Sequence, residues 1–104
     1  MSSPLGQNEG WVVTDQRSRA TEPPMYKVLL HNDNYTTMDF VMMILEVVFH
    51  KDQSEASTIM INVHRQGVGV AGVYTREVAE TKIALVHDLA LKSEYPLKCS
   101  LEKA

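Results

Sequence analysis

The stretch YKVLLHNDN, residues 26–34, decides the fold. Residues 26–31 are rich in strand-forming side chains, and this pattern predicts a β-strand. Asn32-Asp33-Asn34 then ends the strand, because Asn and Asp side chains hydrogen-bond to their own backbone in turns. A compact domain is therefore expected over residues 25–104, beginning with a strand that leads into a polar turn.

Two helices are predicted directly after this turn. Thr36 or Thr37 can cap the first helix, which carries a wide apolar stripe and is expected to end near residues 50–51. The second is expected to begin near residues 52–54 and to stop at Gly67, because glycine readily adopts the left-handed conformation that ends helices. The residues expected to face the core from these helices are Phe40, Val41, Ile44, Leu45, Val47 and Val48, then Ala56, Met60 and Val63.

A strand, a third helix and a final strand complete the pattern. Residues 68–74 indicate a strand, Thr75 can cap the third helix, and Pro96 ends it. Residues 97–102 alternate between apolar and polar, which predicts a strand with one buried face. The order β-α-α-β-α-β predicts an open α+β sandwich in which helices cover the sheet. The core face expected on the third helix comprises Ala79, Ile83, Val86 and Ala90, widened by Leu85 and Leu89.

Residues 1–24 differ from the rest and are expected to form a flexible N-terminal extension. They hold three of the four prolines, and the pair Pro23-Pro24 blocks a helix and favours an extended backbone. Trp11-Val12-Val13 is an apolar patch within this polar segment. It either folds back onto the domain or serves as a contact motif for a partner, and the sequence does not decide between the two.

Composition argues against several classes of function. With 104 residues, 44% of them hydrophobic and 22% charged, the chain is expected to form one soluble domain. Its net charge of −3 provides no basic surplus for nucleic acid, and no apolar run approaches the roughly 20 residues of a membrane span. A single cysteine and the absence of a secretory pattern favour a cytoplasmic protein, expected to be a monomer with no membrane partner.

The sequence offers little that could catalyse a reaction. Gly67-x-Gly69-x-x-Gly72 matches a dinucleotide-binding pattern by its letters, but it follows a predicted helix and lies in a predicted strand, the reverse of the required context. The four histidines lack paired ligand spacing, so neither a metal nor another cofactor is expected. Cys99 falls on the inward side of the last strand, where cysteine usually behaves as a small hydrophobe.

One polar cluster beside apolar residues is the candidate binding site. Asn32 and Asp33 follow the first strand, and His64 lies on the second helix one turn after Met60. An Asn carbonyl, an Asp carboxylate and a neutral imidazole all accept hydrogen bonds. Three such acceptors suit an ammonium group, such as a free N-terminus. Met38 and Met60 suit an adaptable apolar pocket. The plainer interpretation, with a simple turn, a surface histidine and core methionines, stays open at this point.

Five spaced motifs resemble those of the ClpS adaptors, in the same order and over about residues 25–104. They are YKV (26–28), ND-x-YT (32–36), VH-x-x-G (63–67), GVYT-x-EVAETK (72–82) and PL-x-C-x-LE (96–102). The resemblance implies three helices on a three-stranded antiparallel sheet. It also implies a non-enzymatic adaptor that binds N-degron proteins beginning with Leu, Phe, Tyr or Trp, and delivers them to a Clp AAA+ unfoldase and its peptidase.

The resemblance also assigns roles to individual residues. Asn32, Asp33 and His64 would hold the α-amino group of the substrate. The side-chain pocket would be lined by Thr36, Met38, Val41, Met60, Val63 and Leu97, with Met38 as a gate that rejects β-branched first residues. Asn34 stands where the family commonly has a second aspartate, so it is a further contributor that lacks the usual charge and should weaken attraction to the substrate cation.

A second surface is implied for the unfoldase. Tyr35, Glu77 and Lys82 would dock on the N-terminal domain of a ClpA-like unfoldase, and the extension, residues 1–24, would engage the unfoldase during hand-over. From the residues alone, Glu77 and Lys82 could equally belong to a solvated helix face.

Two other functions remain as alternatives. A purely structural interaction module, like the C-terminal domain of the ribosomal stalk protein, would bind through a helix face and have no amine pocket. A small hydrolase would use His64 and Cys99, although no third group that could orient them is visible in the sequence.

Overall fold

The structure, a computed structural model, describes residues 23–104. The predicted extension, residues 1–24, therefore lies outside the described residues except for Pro23 and Pro24, and so does Trp11-Val12-Val13. The predicted order of elements is confirmed. The elements are β1 (Met25–His31), α1 (Met38–Val47), α2 (Gln53–Gln66), β2 (Val68–Thr75), α3 (Arg76–Lys92) and β3 (Lys98–Lys103).

The three strands form one antiparallel sheet, as predicted, and their order within it is β2-β1-β3. The central strand β1 ends at His31, which pairs with Val68 on one side and Lys98 on the other. The turn at residues 32–34 therefore leaves the sheet beside the first residues of both neighbouring strands. This position brings the turn close to the end of α2, which leads directly into β2.

The core lies on one face of the sheet. Because side chains alternate along a strand, Val28 and Leu30 of β1 point to the same side, and both are fully buried. Cys99, which pairs with Leu30, faces this side as predicted and is 8% exposed. The helices complete the core with Phe40, Val41, Ile44 and Leu45, then Ala56 and Val63, then Ala79, Val86 and Ala90. Val48 and Phe49, which follow α1, are buried in the same core, as are Ala71 and Leu97.

Two expected core positions are wrong. Val47 is 59% exposed and Leu85 is 45% exposed, although both are apolar and both continue a helical stripe. Each stripe is wider in sequence than the face that the sheet and the neighbouring helices cover, so its edge stays in solvent.

The first helix also ends earlier than predicted, at Val47 rather than near residues 50–51. His50 adopts a left-handed backbone with φ 56°, and the amide of Lys51 donates to the carbonyl of Leu45, which closes the helix end. Val48, which was expected to face the core from this helix, is buried but lies just beyond the helix end, together with the buried Phe49.

The helix starts follow local chemistry. Thr37 caps α1 by accepting a hydrogen bond from the amide of Phe40, and Asp52 caps α2 in the same way. Thr75 occupies the cap position of α3 without a side-chain hydrogen bond. At the other end of α2, Gly67 has φ 87°, the left-handed value that its lack of a Cβ makes inexpensive.

Lys82 of α3 caps the end of α1. Its Nζ donates to the carbonyl of Val48 at 2.7 Å, and the ammonium lies 5.1 Å from the ring centroid of Tyr74 and 5.9 Å from that of Phe49. A cation that satisfies an end carbonyl is favourable because helix C-termini carry partial negative charge. Lys82 therefore has a structural role, whether or not it contacts a partner.

We expect Lys82→Met to lower the free energy of unfolding by about 1–2 kcal/mol, because the Val48 carbonyl loses a charged donor. Equilibrium urea unfolding measures the change. Lys92→Met is the matched control, since Lys92 pairs with Asp88 on an exposed face and its loss should cost less than about 0.5 kcal/mol. Equal effects of the two substitutions would contradict the capping role.

Candidate functional site

A backbone hydrogen bond assembles the candidate site. The amide of Asn32 donates to the carbonyl of Gly67 at 2.9 Å, which ties the turn after β1 to the end of α2. His64 lies one helical turn before Gly67, so this bond brings the polar turn beside the imidazole-bearing end of the helix. Two stretches that are more than thirty residues apart in the sequence thus meet at one edge of the fold.

A cavity of about 280 Å³ opens at this junction. The turn supplies one wall, the first residues of α1 a second, and the last two turns of α2 a third. The lining residues are Asn32, Asp33, Asn34, Thr36, Met38, Val41, Met60, Val63 and His64. The structure thus brings together the proposed amine-binding residues, Asn34 and five of the six proposed pocket residues.

Leu97 is the exception among the predicted pocket residues. It is not among the residues that line this cavity, and it is 4% exposed within the hydrophobic core. Its side chain also borders a shallow cleft between α3 and the start of β3. The alternation of residues 97–102 had predicted its inward orientation, but an inward side chain near the site need not reach the cavity wall.

The cavity has an apolar inner part and a polar rim. Val41 and Val63 are 8% and 4% exposed and form the inner part, with the half-buried Met60 beside them. Met38 stands at the mouth and is 54% exposed. The polar rim consists of the turn at residues 32–34 and His64. Such a site suits a ligand with an apolar group next to a charged or strongly polar one.

Asp33 is held by its own loop. Its Oδ1 accepts from the amides of Tyr35 and Thr36 at 2.8 and 2.7 Å, and its Oδ2 accepts from the Thr36 hydroxyl at 2.7 Å. Partial burial by itself raises the pKa of Asp33, but the hydrogen bonds from Thr36 and Tyr35 outweigh it and lower the pKa below 3.8. The carboxylate is thus a fixed negative charge, and most of its acceptor positions are already occupied by hydrogen bonds within the turn.

Asn32 and His64 have their side chains available. Both residues are exposed, and in the part of the chain that the structure describes neither side chain takes part in a hydrogen bond. Each can offer an acceptor at the rim, through the Asn32 amide oxygen and through an imidazole nitrogen of neutral His64. The direct acceptors at the rim are therefore Asn32 and His64, whereas Asp33 contributes mainly charge and loop order.

Gly69 sets the distance between α2 and the sheet, a role that sequence analysis missed. A Cβ at this position would lie 2.7 Å from Cγ2 of Val63 and 3.3 Å from the carbonyl oxygen of Ile59. The helix that carries Val63 and His64 can approach β2 only because residue 69 has no side chain. Of the three glycines in G-x-G-x-x-G, Gly69 thus serves helix packing and Gly67 ends α2, whereas a Cβ at Gly72 would meet the ring of Tyr74.

Cys99 does not form a reactive pair with His64. Burial raises the pKa of its thiol to about 12, so the thiol stays protonated at neutral pH. Its backbone amide donates to Nε2 of His87 at 3.0 Å, and Cys99 is absent from the lining of the cavity that contains His64. The geometry therefore offers no support for a hydrolase that uses these two side chains.

The three predicted docking residues are separated. Tyr35, 77% exposed, follows the end of β1, whereas Glu77 follows Thr75, which pairs with the first residue of β1. The seven residues of β1 span about 20 Å, so Tyr35 and Glu77 lie toward opposite ends of the sheet. Lys82 lies between them along α3 and is half-buried in the contact with Val48.

Residues 23–104 contain neither a candidate membrane span nor a candidate metal site. None of the helices found there is both long and apolar enough to cross a bilayer. Within the same residues, no three His, Cys, Asp or Glu side chains are grouped so that they could hold a metal ion.

Comparisons with known proteins agree with one another. A family model described as "ATP-dependent Clp protease adaptor protein ClpS" matches residues 21–100. The protein of that description from Desulfatibacillum aliphaticivorans is 55% identical over 102 residues, covering 98% of each chain. The one from Desulfotalea psychrophila is 52% identical over 103 residues, covering 99% of each chain. The solved structure of Agrobacterium tumefaciens ClpS2 bound to L-phenylalaninamide matches with a TM-score of 0.76 and 36% identity, covering 80% of this chain and 100% of that chain.

We expect Gly69→Ala to lower the free energy of unfolding by about 1–3 kcal/mol, because the new methyl group forces α2 away from β2. Urea unfolding measures the change. Val63→Ala removes the clashing atom, so the double variant should be more stable than the sum of the two single effects predicts. Strict additivity would contradict the contact. Val70→Ala, on the same strand but 41% exposed, is the control and should cost less than about 1 kcal/mol.

Carboxyl-carbon NMR titration should give Asp33 a midpoint below 3.8, and Thr36→Val should raise that midpoint by removing the hydroxyl donor. Because the pKa is lower in the folded chain than in the unfolded one, ionised Asp33 stabilises the fold above the unfolded pKa. This contribution is lost as the pH falls through the folded value. A midpoint that Thr36→Val leaves in place would show that the hydroxyl does not hold the carboxylate.

Proposed function

The chain belongs to the ClpS family of ATP-dependent Clp protease adaptor proteins, and from this premise we propose that it captures proteins by their N-terminus and delivers them for degradation. Capture requires a free α-amino group and a bulky hydrophobic first residue, and the adaptor acts by binding alone. The observation that carries the proposal is the cavity at the junction of the 32–34 turn with α2, where hydrogen-bond acceptors border an apolar interior.

The polar rim suits an α-ammonium group. This group has a pKa of about 7.7–8.0, is largely cationic at neutral pH and offers three N–H donors. In the proposed complex, the Asn32 amide oxygen and the His64 imidazole accept two of these hydrogen bonds. Asp33 attracts the cation through its fixed charge and through the acceptor position that its loop leaves free.

The apolar interior suits a large side chain. Val41 and Val63 form its inner surface, and Met60 adds a flexible thioether wall that can adapt to Leu, Phe, Tyr or Trp. The Agrobacterium tumefaciens relative was solved with L-phenylalaninamide, a molecule that carries a free α-amine, a benzyl group and an amide, as an N-terminal Phe residue does. This ligand supports N-terminal Phe as one substrate class for the present chain.

Met38 is proposed as the gate of the cavity. It is 54% exposed at the mouth, where its side chain can contact the Cβ region of a bound first residue. A β-branched side chain such as Ile or Val is widest at that point, so it would meet the thioether before its end reached the interior. The exposed position also allows Met38 to move between rotamers as ligands of different size enter.

Delivery is proposed to use the N-terminal domain of a ClpA-like AAA+ unfoldase. Glu77, exposed at the start of α3, and Tyr35, exposed after the turn, are the contact residues that remain available on the surface. Lys82 is partly committed to the Val48 carbonyl, so a loss of docking in a Lys82 variant must be separated from a loss of stability. The extension, residues 1–24, is proposed to engage the unfoldase at hand-over.

The proposal is tested with a labelled peptide that begins with Leu, by fluorescence anisotropy, against the same peptide with an acetylated N-terminus. We expect acetylation to weaken binding by at least about tenfold, because it removes the cation and its hydrogen bonds to charged or polar acceptors. His64→Ala and Asn32→Ala should each lower the affinity for the peptide with a free N-terminus by about five- to fiftyfold.

Arg65→Ala is the matched control, because Arg65 is the exposed neighbour of His64 on α2 and does not line the cavity. The Arg65→Ala variant should bind the peptide with a free N-terminus as tightly as the unchanged protein does. A structural interaction module without an amine pocket would bind the free and acetylated peptides equally, and that result would overturn the proposal.

A further inference from the structure

A second cleft lies on the other side of the same turn. It has a volume of about 370 Å³, and it shares residues 32–34 with the first cavity, so the turn forms a ridge between the two. Its other walls come from His31, Tyr35 and Lys98, together with Pro96. None of these four residues has been proposed to contact the N-terminal residue of a ligand in the first cavity.

The side chains of this second cleft carry donors and positive charge. His31 and Lys98 pair directly across β1 and β3, which puts both side chains on the sheet face that the helices leave open. The register is supported by the contact between His31 Nε2 and the Ser100 hydroxyl at 2.6 Å. Lys98 is exposed, and within residues 23–104 its ammonium forms no ion pair. Tyr35 adds a phenolic hydroxyl at the rim.

Asp33 is the one carboxylate among the described residues that line the cleft. The Asp33 carboxylate directs its oxygens to the Tyr35 and Thr36 amides and to the Thr36 hydroxyl, all within its own loop. Asn34, the other polar side chain on the ridge, is neutral. The cleft therefore combines one cation, Lys98, unpaired within the described residues, and hydrogen-bond donors with a carboxylate that already accepts three hydrogen bonds from its own loop.

We propose that this cleft is a second subsite for the captured N-terminus, and that it binds an acidic side chain at the second to fourth residue through Lys98. The inference rests on the proposed function, since it takes the α-amino group to be held at the 32–34 ridge. An extended peptide advances at most about 3.3–3.6 Å per residue, so one that crosses the three-residue ridge reaches the cleft within a few residues. Lys98 and His31 thereby determine which sequences after the first residue bind well.

The test uses peptides that begin with Leu and carry Glu or Gln at position two, three or four, with neutral residues elsewhere. The readout is the ratio of the Glu affinity to the Gln affinity at each position. We expect a ratio of about two to five in favour of Glu at one of these positions, as for an exposed charge pair. Lys98→Gln should bring this ratio to one, Lys98→Glu should invert it, and high salt should reduce it in the unchanged protein.

Lys103→Gln is the matched control, because it removes the same charge from the same strand about 16 Å away and should leave the ratio unchanged. A ratio of one at all three positions in the unchanged protein would overturn the subsite. So would a preference that survives in Lys98→Gln, or one lost equally in Lys103→Gln, which would indicate a general field. If the acetylated Leu peptides bind as well as the free ones, the amine-capture proposal fails instead, and the two failures are thereby distinguished.

Discussion

The site depends on one backbone hydrogen bond, from the Asn32 amide to the Gly67 carbonyl. It joins the end of the central strand to the end of α2, so the polar turn and His64 are held against each other by main-chain atoms. The bond requires that α2 stop at residue 67 with a left-handed backbone, which glycine adopts at little cost. Without that stop, the last turn of α2 would not present its carbonyl and its imidazole to the same turn.

The apolar half of the site is fixed by packing rather than by hydrogen bonds. Val63 contributes to the cavity wall and also lies against the backbone of Gly69, so the position of the wall follows from how closely α2 approaches β2. Val41, on α1, is held by the helix cap at Thr37 at one end and by the Lys82 contact at the other. The rim and the interior thus belong to one rigid arrangement, and a change in helix packing alters both.

The sequence alone was sufficient to predict those features of the fold that depend on local structural signals. The strand before Asn32 and the stop at Gly67 each depend on the backbone preference of one or two residues, and both were predicted correctly. The cap of α1 was predicted to be Thr36 or Thr37, and Thr37 occupies it. The failures involve distant neighbours. Val47 looks like a core residue until the limited area of the covering elements is known, and Leu97 points inward without reaching the cavity. The need for glycine at residue 69 is visible only when α2 is seen against β2. Residue chemistry alone grouped Asn32, Asp33 and His64 as one candidate site, but it left the plainer interpretation open, and the ClpS resemblance was needed to favour the site.

The three hydrogen bonds to Asp33 have a kinetic consequence. They order the turn before any ligand arrives, so the proposed amine complex needs no slow loop rearrangement. We therefore expect its association rate to be set by diffusion and by the attraction between the carboxylate and the α-ammonium group. We then expect ligands to differ in affinity mainly through their dissociation rates, which depend on how deeply the first side chain fills the interior of the cavity. In the proposed adaptor, a preformed turn of this kind would favour rapid capture of a substrate and a residence time set by the first side chain of that substrate.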